Sequence, residues 1–153
     1  MKTLCNPQCK QEIIARVRLV CADSRRCWGK MNAAQMVCHL NDSFLCVMGE
    51  RPVSIDPNFR ARKLVKWVGL EVPFRWPHGV RTRPEIDQFI GGTRPAAFEG
   101  DRQHLQLLME RFTAQPRDLE FAPHPIFLEM NEREWMRWGY LHTDCLLYTS
   151  RCV

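Results

Sequence analysis

The chain reads as an all-α protein: an antiparallel four-helix bundle with a long loop and short-helix insertion between its second and third helices. Three observations lead there. Apolar residues recur at helical spacing in four separate stretches. Three of those stretches open on an asparagine placed as an N-cap, at Asn6, Asn32 and Asn131. The remaining long stretch, residues 50–95, holds six prolines and four glycines, too many for one continuous element. Amphipathic helices of this kind bury their stripes against one another, which is the logic of a bundle.

The first helix is expected over 7–21. Asn6 caps it and Pro7 takes the first helical position, where the missing N–H costs nothing. Ile13, Ile14, Val17 and Val20 follow at helical spacing. The second is expected over 32–48, with Asn32 as cap and Gln35 as its capping-box partner. Met36, Leu40, Phe44 and Val47 form its stripe, and Gly49 stops it. The third, 97–113, gathers Phe98, Leu105, Leu108 and Phe112 on one side. The fourth, 131–144, pairs Asn131 with Glu134 in a second capping box and carries Trp135, Trp138 and Leu141.

Within the insertion a short helix is expected from about Arg60 to Leu70, on Leu64, Val65 and Val68, with Pro73 blocking its extension. The rest reads as ordered loop. Its aromatic residues, Trp67, Phe74, Trp76 and Phe89, favour a packed cover over one end of the bundle.

A chain of 153 residues is long enough for one domain with a real core, and 45% hydrophobic against 25% charged residues is ordinary for one. No apolar run approaches the ~20 residues that span a bilayer. The stretch from Met1 to Pro7 lacks an apolar signal core, so the expected location is cytoplasmic and no membrane partner is expected. The eight cysteines contain no CxxC pair. Cys21, Cys38 and Cys46 read as small buried hydrophobes, and Cys5 and Cys9 as sharing a helical face. The net charge of +5 is modest. Arg16, Arg18, Arg25, Arg26, Arg60, Arg62, Lys63 and Lys66 interleave with acids, so a solvated surface is expected and no nucleic-acid partner.

The end of the chain stands apart. Cys145 to Ser150 can be spelled TGT CTC TTA TAC ACA TCT, which resembles the mosaic-end sequence of transposase-based sequencing libraries. The reverse complement, read onward in frame, gives AGA TGT GTA TAA: Arg151, Cys152, Val153 and a stop. One origin thus accounts for residues 145–153, against the alternative of a natural frayed tail. The expectation is a native domain of residues 1–144 with a truncated C-terminus and a non-native tail. That tail is expected to prolong the last helix by a turn, on Leu146 and Leu147, with little specific packing.

Two histidines carry the candidate chemistry. His39 lies on the second helix, one turn from Met36 and Ser43, beside the apolar stripe. His142 follows Trp135 and Trp138 by seven and four residues, on the inward face of the fourth helix. Inward histidines from different helices are how bundles build metal sites, and a catalytic site takes about three protein ligands. Taken alone, each reads more readily as a hydrogen-bonded core residue than as a ligand.

The run Trp28-Gly29-Lys30-Met31-Asn32-Ala33-Ala34-Gln35-Met36-Val37-Cys38-His39-Leu40 resembles the DinB-like superfamily, in a branch catalogued as a domain of unknown function. So do Thr82-Arg83-Pro84-Glu85-Ile86-Asp87-Gln88, Gly92-Thr93-Arg94-Pro95, His124-Pro125-Ile126-Phe127, and the stretch from Glu134 to Asp144. Leu128 departs from the pattern, which has glycine after the HPxF motif, so a different turn is expected there. The resemblance implies a four-helix bundle, commonly a homodimer, with a divalent metal (zinc or nickel) held by three histidines. His39 and His142 match two of them. The third falls at position 146, which is Leu146 here, so the set is incomplete. Relatives include metal-dependent thiol transferases that use low-molecular-weight thiols against small-molecule electrophiles. The alternative is a non-catalytic metal-binding or interaction bundle. Asp42, one turn past His39, is weighed as a partner of the ligand against a solvated surface residue. Glu85 and Asp87 are read as solvated loop residues rather than pocket residues, and His78, His104 and His124 as structural or exposed. Cys145 stands as a conceivable substitute ligand.

Overall fold

The computed structural model describes residues 1–57, 62–72, 76–77, 79–148 and 150–151. Among them the chain is mostly helical. In order come α1 (Pro7–Leu19), β1 (Arg25–Arg26), α2 (Ala33–Val47), α3 (Arg62–Glu71), a 3-10 turn (Pro84–Ile86), α4 (Phe98–Thr113), α5 (Glu132–Leu147) and β2 (Ser150–Arg151). None of these helices is long and apolar enough to cross a membrane.

The three asparagine caps act as the sequence suggests. Asn6 accepts from the N–H groups of Gln8 and Cys9, and Pro7 opens α1. Asn32 with Gln35, and Asn131 with Glu134, form complete capping boxes. Gly49 ends α2 at φ 77, a left-handed conformation in which glycine carries no steric cost. Helix α1 stops two residues earlier than expected. Val20 is already extended, buried as the C-cap, and the chain turns outward behind it. Cys21 is therefore exposed, not a core residue, while Cys38 and Cys46 are buried as expected. Cys5 precedes the cap of α1, so it lies in a turn and shares no helical face with Cys9.

Helix α2 is the centre of the molecule. It is buried on nearly every side, not along one stripe only, and packs chiefly against α4. Helix α1 packs on α5 and α4, and α3 on α5. Their buried side chains form one core, with Phe44, Phe112, Trp135 and Met109 among the largest. The N-terminal segment closes over it: Leu4 is buried and its N–H donates to the Met136 carbonyl at 3.1 Å. Gly139 makes room for this strap, since a Cβ there would lie 2.7 Å from Leu4 Cδ1 and 3.0 Å from Phe112.

The insertion is less of an aromatic cover than expected. Trp67 and Phe89 are exposed, while Trp76 is partly buried and donates from Nε1 to the Gly69 carbonyl at 2.7 Å. Arg60, Pro73, Phe74 and His78 lie outside the described residues.

The tail also departs from expectation. It prolongs α5 to Leu147, but Leu146 and Leu147 are buried in the core. Beyond them, β2 pairs antiparallel with β1, Arg25 opposite Arg151 and Arg26 opposite Ser150. The reason is geometric. Thr143 is fully buried, and positions three and four residues further on fall on the same inward face. Apolar residues placed there are buried whatever their origin.

Candidate metal centre

The second and fifth helices bring His39 and His142 together, with ring centroids 5.5 Å apart and planes tilted by 60°. His39 is buried in the middle of α2, and its Nδ1 donates to the Ile86 carbonyl at 2.9 Å. With that proton on Nδ1, the neutral ring keeps its lone pair on Nε2. His142 is partly buried, and its Nε2 is shielded from solvent without a hydrogen-bond partner among the described residues. Its ring lies against Trp138, 5.0 Å away and only 12° from parallel, with Trp76 at 6.2 Å. Burial pushes both histidines below their ordinary pKa, and His39 lowers His142 further. Both are thus neutral at pH 7, the state in which imidazole binds a metal.

A buried ring nitrogen with no partner costs free energy that a cation would recover. In kind, the two imidazoles suit zinc or nickel, and the His39–Ile86 bond is the outer contact that ligating histidines ordinarily make. In number they fall short: among the described residues no group of three or more His, Cys, Asp or Glu is placed to hold an ion. Position 146, one turn beyond His142 on the inward face, carries the buried Leu146. Cys145 is partly buried, its thiol pushed up chiefly by burial, and does not complete a set with the pair.

The largest departure from the sequence reading is Asp42. It is 0% exposed, so it is no solvated surface residue. It makes no bond to His39. Its Oδ2 accepts from Gln88 Nε2 at 2.9 Å and from the Thr93 N–H at 2.8 Å. Its Oδ1 accepts from Thr93 Oγ1 at 2.6 Å and Arg51 Nη1 at 3.0 Å. Arg51 in turn donates to the Glu85 carbonyl at 2.8 Å and the Gly91 carbonyl at 2.7 Å. Two glycines let this segment fold so tightly. A Cβ on Gly91 would lie 2.8 Å from the Pro84 carbonyl oxygen, and one on Gly92 2.5 Å from Gln88 Nε2. Arg51, Gln88 and Thr93 were not among the expected site residues. The signal for them was the pair of motif stretches around Thr82–Gln88 and Gly92–Pro95, both of which converge on α2.

The other candidates take structural places. The Glu85 carboxylate accepts from the Ser54 N–H at 3.1 Å, and its pKa is held down chiefly by the Ser54 side chain. Asp87 Oδ1 accepts from the Phe89 N–H at 2.9 Å, a local turn bond. His104 is exposed on α4. His124 is buried, and its Nδ1 accepts from the N–H groups of Ile126 and Phe127, both at 3.1 Å. His124 and Leu128 exchange both backbone hydrogen bonds, closing a tight turn with Leu128 at φ 60. Leucine here occupies a left-handed position in which glycine would carry no steric cost.

Searches against protein-family models, curated proteins and solved structures found no match.

Proposed function

We propose that this chain is a divalent-metal-binding protein of DinB-like type, with α1, α2, α4 and α5 as the bundle and His39 and His142 as two of three metal ligands. The observation that carries this reading is the buried pair itself: two neutral imidazoles from different helices, one anchored through Nδ1, the other with an unpartnered Nε2. The third ligand position is Leu146, within a stretch that reads as adaptor-derived and non-native. Two imidazoles with water completing the shell hold an ion weakly, because affinity follows ligand count and fixed geometry. When bound, zinc or nickel would supply the Lewis acidity that keeps a low-molecular-weight thiol as thiolate at neutral pH. The protein's own share is to hold the imidazoles neutral and oriented, and to shield the pair with Trp138 and Trp76.

A metal-dependent thiol transferase acting on a small-molecule electrophile is the enzymatic form of this reading. The non-catalytic form, a metal-binding or interaction bundle, is favoured for the chain as it stands by the incomplete donor set. Calorimetric titration with zinc and nickel tests the metal, on the unaltered chain and on Leu146→His. The expected result is weak binding by the first and at least tenfold tighter binding by the second, lost in His39→Ala. Equally tight binding by the unaltered chain, surviving Cys145→Ala, would overturn the three-histidine assignment. Turnover of an electrophile by Leu146→His with added thiol and metal separates enzyme from binding protein.

A further inference from the structure

We propose that Asp42 is the positioning residue for His39: by clamping residues 84–93 onto α2 it sets the Ile86 carbonyl against Nδ1, and so decides which imidazole nitrogen is left free. The inference rests on the reading of His39 as a ligand, but concerns the tautomer of the ring rather than the identity of any ion.

The chain of contacts is continuous. Ile86 ends the 3-10 turn Pro84–Ile86, and its carbonyl meets His39 Nδ1 at 2.9 Å. The height of that carbonyl above α2 depends on how its segment is held to the helix. What fixes it lies two residues on, where Gln88 Nε2 reaches Asp42 Oδ2 at 2.9 Å, and seven on, where Thr93 donates twice to the same carboxylate. Arg51 completes the clamp from the far end of α2. It binds Asp42 Oδ1, Thr93 Oγ1 and the carbonyls of Glu85 and Gly91. The Glu85 carbonyl is the peptide immediately before Ile86, so the guanidinium holds the turn from one side and the carboxylate from the other. Asp42 and His39 are three residues apart, on neighbouring positions of one helix. A single rigid helix therefore carries both the ring and the anchor of the peptide that orients it. A carboxylate suits this task because it only accepts: all four of its contacts come from donors, and none competes with Ile86 for the His39 proton.

A neutral histidine released from the Ile86 carbonyl distributes its proton between the two nitrogens. The Nε2-protonated form presents its lone pair on Nδ1, toward the loop, and is useless to an ion between His39 and His142. Loss of outer contacts of this kind weakens metal binding by about 10–100-fold.

The test is made on the full chain with 15N-labelled histidine, using His39→Gln to assign the signals. Long-range proton–nitrogen correlation reads the tautomer directly, without metal. The unaltered chain is expected to show His39 protonated on Nδ1 only, and Asp42→Asn to show a mixture of both tautomers. In parallel, Asp42→Asn combined with Leu146→His is expected to bind nickel 10–100-fold more weakly than Leu146→His alone. Should Asp42→Asn fail to fold, Gln88→Leu with Thr93→Val replaces it, removing donors to the carboxylate at near-constant volume, with the same expected results. Folded variants that keep His39 wholly Nδ1-protonated overturn the proposal. Absence of metal binding by either ligand set would overturn the metal reading alone, since the tautomer is read on the metal-free chain.

Discussion

Leu128 adopts φ 60 in the tight turn it closes, where its N–H and carbonyl both bond His124. A left-handed conformation costs an L-residue about 1–2 kcal/mol, whereas glycine adopts it freely. Leu128→Gly relieves that cost but adds about 0.4–1 kcal/mol of unfolded-state entropy and loses some packing, so a net gain of up to about 1 kcal/mol is expected. Leu128→Val should lose stability, being branched at Cβ. Urea melts of the two variants decide it, and a loss with glycine would show that the leucine side chain outweighs its backbone. The neighbouring His124 makes a pH prediction. Burial pushes its pKa down to about 3, against about 6.5 in an unfolded chain. Between those values the unfolded state takes up a proton that the folded state refuses. Stability is therefore complete above pH 6.5 and falls as pH drops toward 3, by up to about 1.4 kcal/mol per unit from this group. His39 and His142 shift in the same direction and steepen the fall. Unfolding free energy measured across this window should decline less steeply in His124→Gln than in the unaltered chain. An equal slope would mean that His124 does not stay neutral. At this scale the sequence was legible where a residue's role is local. The inward placement of His39 and His142 follows from helical phase, whereas the burial of Asp42 does not, because its partners Gln88 and Thr93 lie 46 and 51 residues away.

Helix starts were legible because capping is a three-residue matter: each asparagine meets an N–H two or three positions on. The end of α1 was not, because nothing in its periodicity separates Val20, a buried C-cap, from a further helical turn. The 84–93 segment reads as ordered loop, but its docking on α2 through Asp42 is a long-range contact that periodicity does not show. The tail shows the same division. Leu146 and Leu147 are good helix formers by propensity, but their burial follows from the phase of α5 and from what faces it. Fully burying a leucine is worth roughly 1.5–3 kcal/mol, so a chain ending at Asp144 should lose about 3–6 kcal/mol. That is a large share of the roughly 5–15 kcal/mol that holds a domain together. The loss should be visible as a lower denaturant midpoint. A melt indistinguishable from that of the full chain would show that the last turn of α5 adds nothing. The contribution of each residue separates further in Leu147→Ala, expected to cost about 2–5 kcal/mol, from a tail cut after Leu147, which removes the Tyr148 cap of α5 and the short β2 pairing but leaves both leucines.

At the scale of the whole molecule, the histidine pair joins the central helix to the last one, and α2 also carries Asp42, which holds the loop. An ion bound there would tie together elements that the chain visits a hundred residues apart. Such binding belongs to the folded state, because the unfolded chain does not preform the site, so it should appear as stability. The unaltered chain offers two imidazoles and should gain little. Leu146→His places a third donor one turn beyond His142, on the face where the leucine is already buried. At a free metal concentration 100 times the dissociation constant the gain is about 2.7 kcal/mol. For a chain of this size that corresponds to a rise in Tm of roughly 5–10 °C. Nickel is the better probe than zinc, since the eight cysteines of the unfolded chain would compete for the softer-binding ion and shrink the difference. The control is His39→Ala in the same background, which removes a ligand from α2 and should abolish the shift. A nickel-dependent rise of equal size in that control would place the ion elsewhere on the molecule. A rise seen only when His39, His142 and the introduced histidine are all present would place it between α2 and α5.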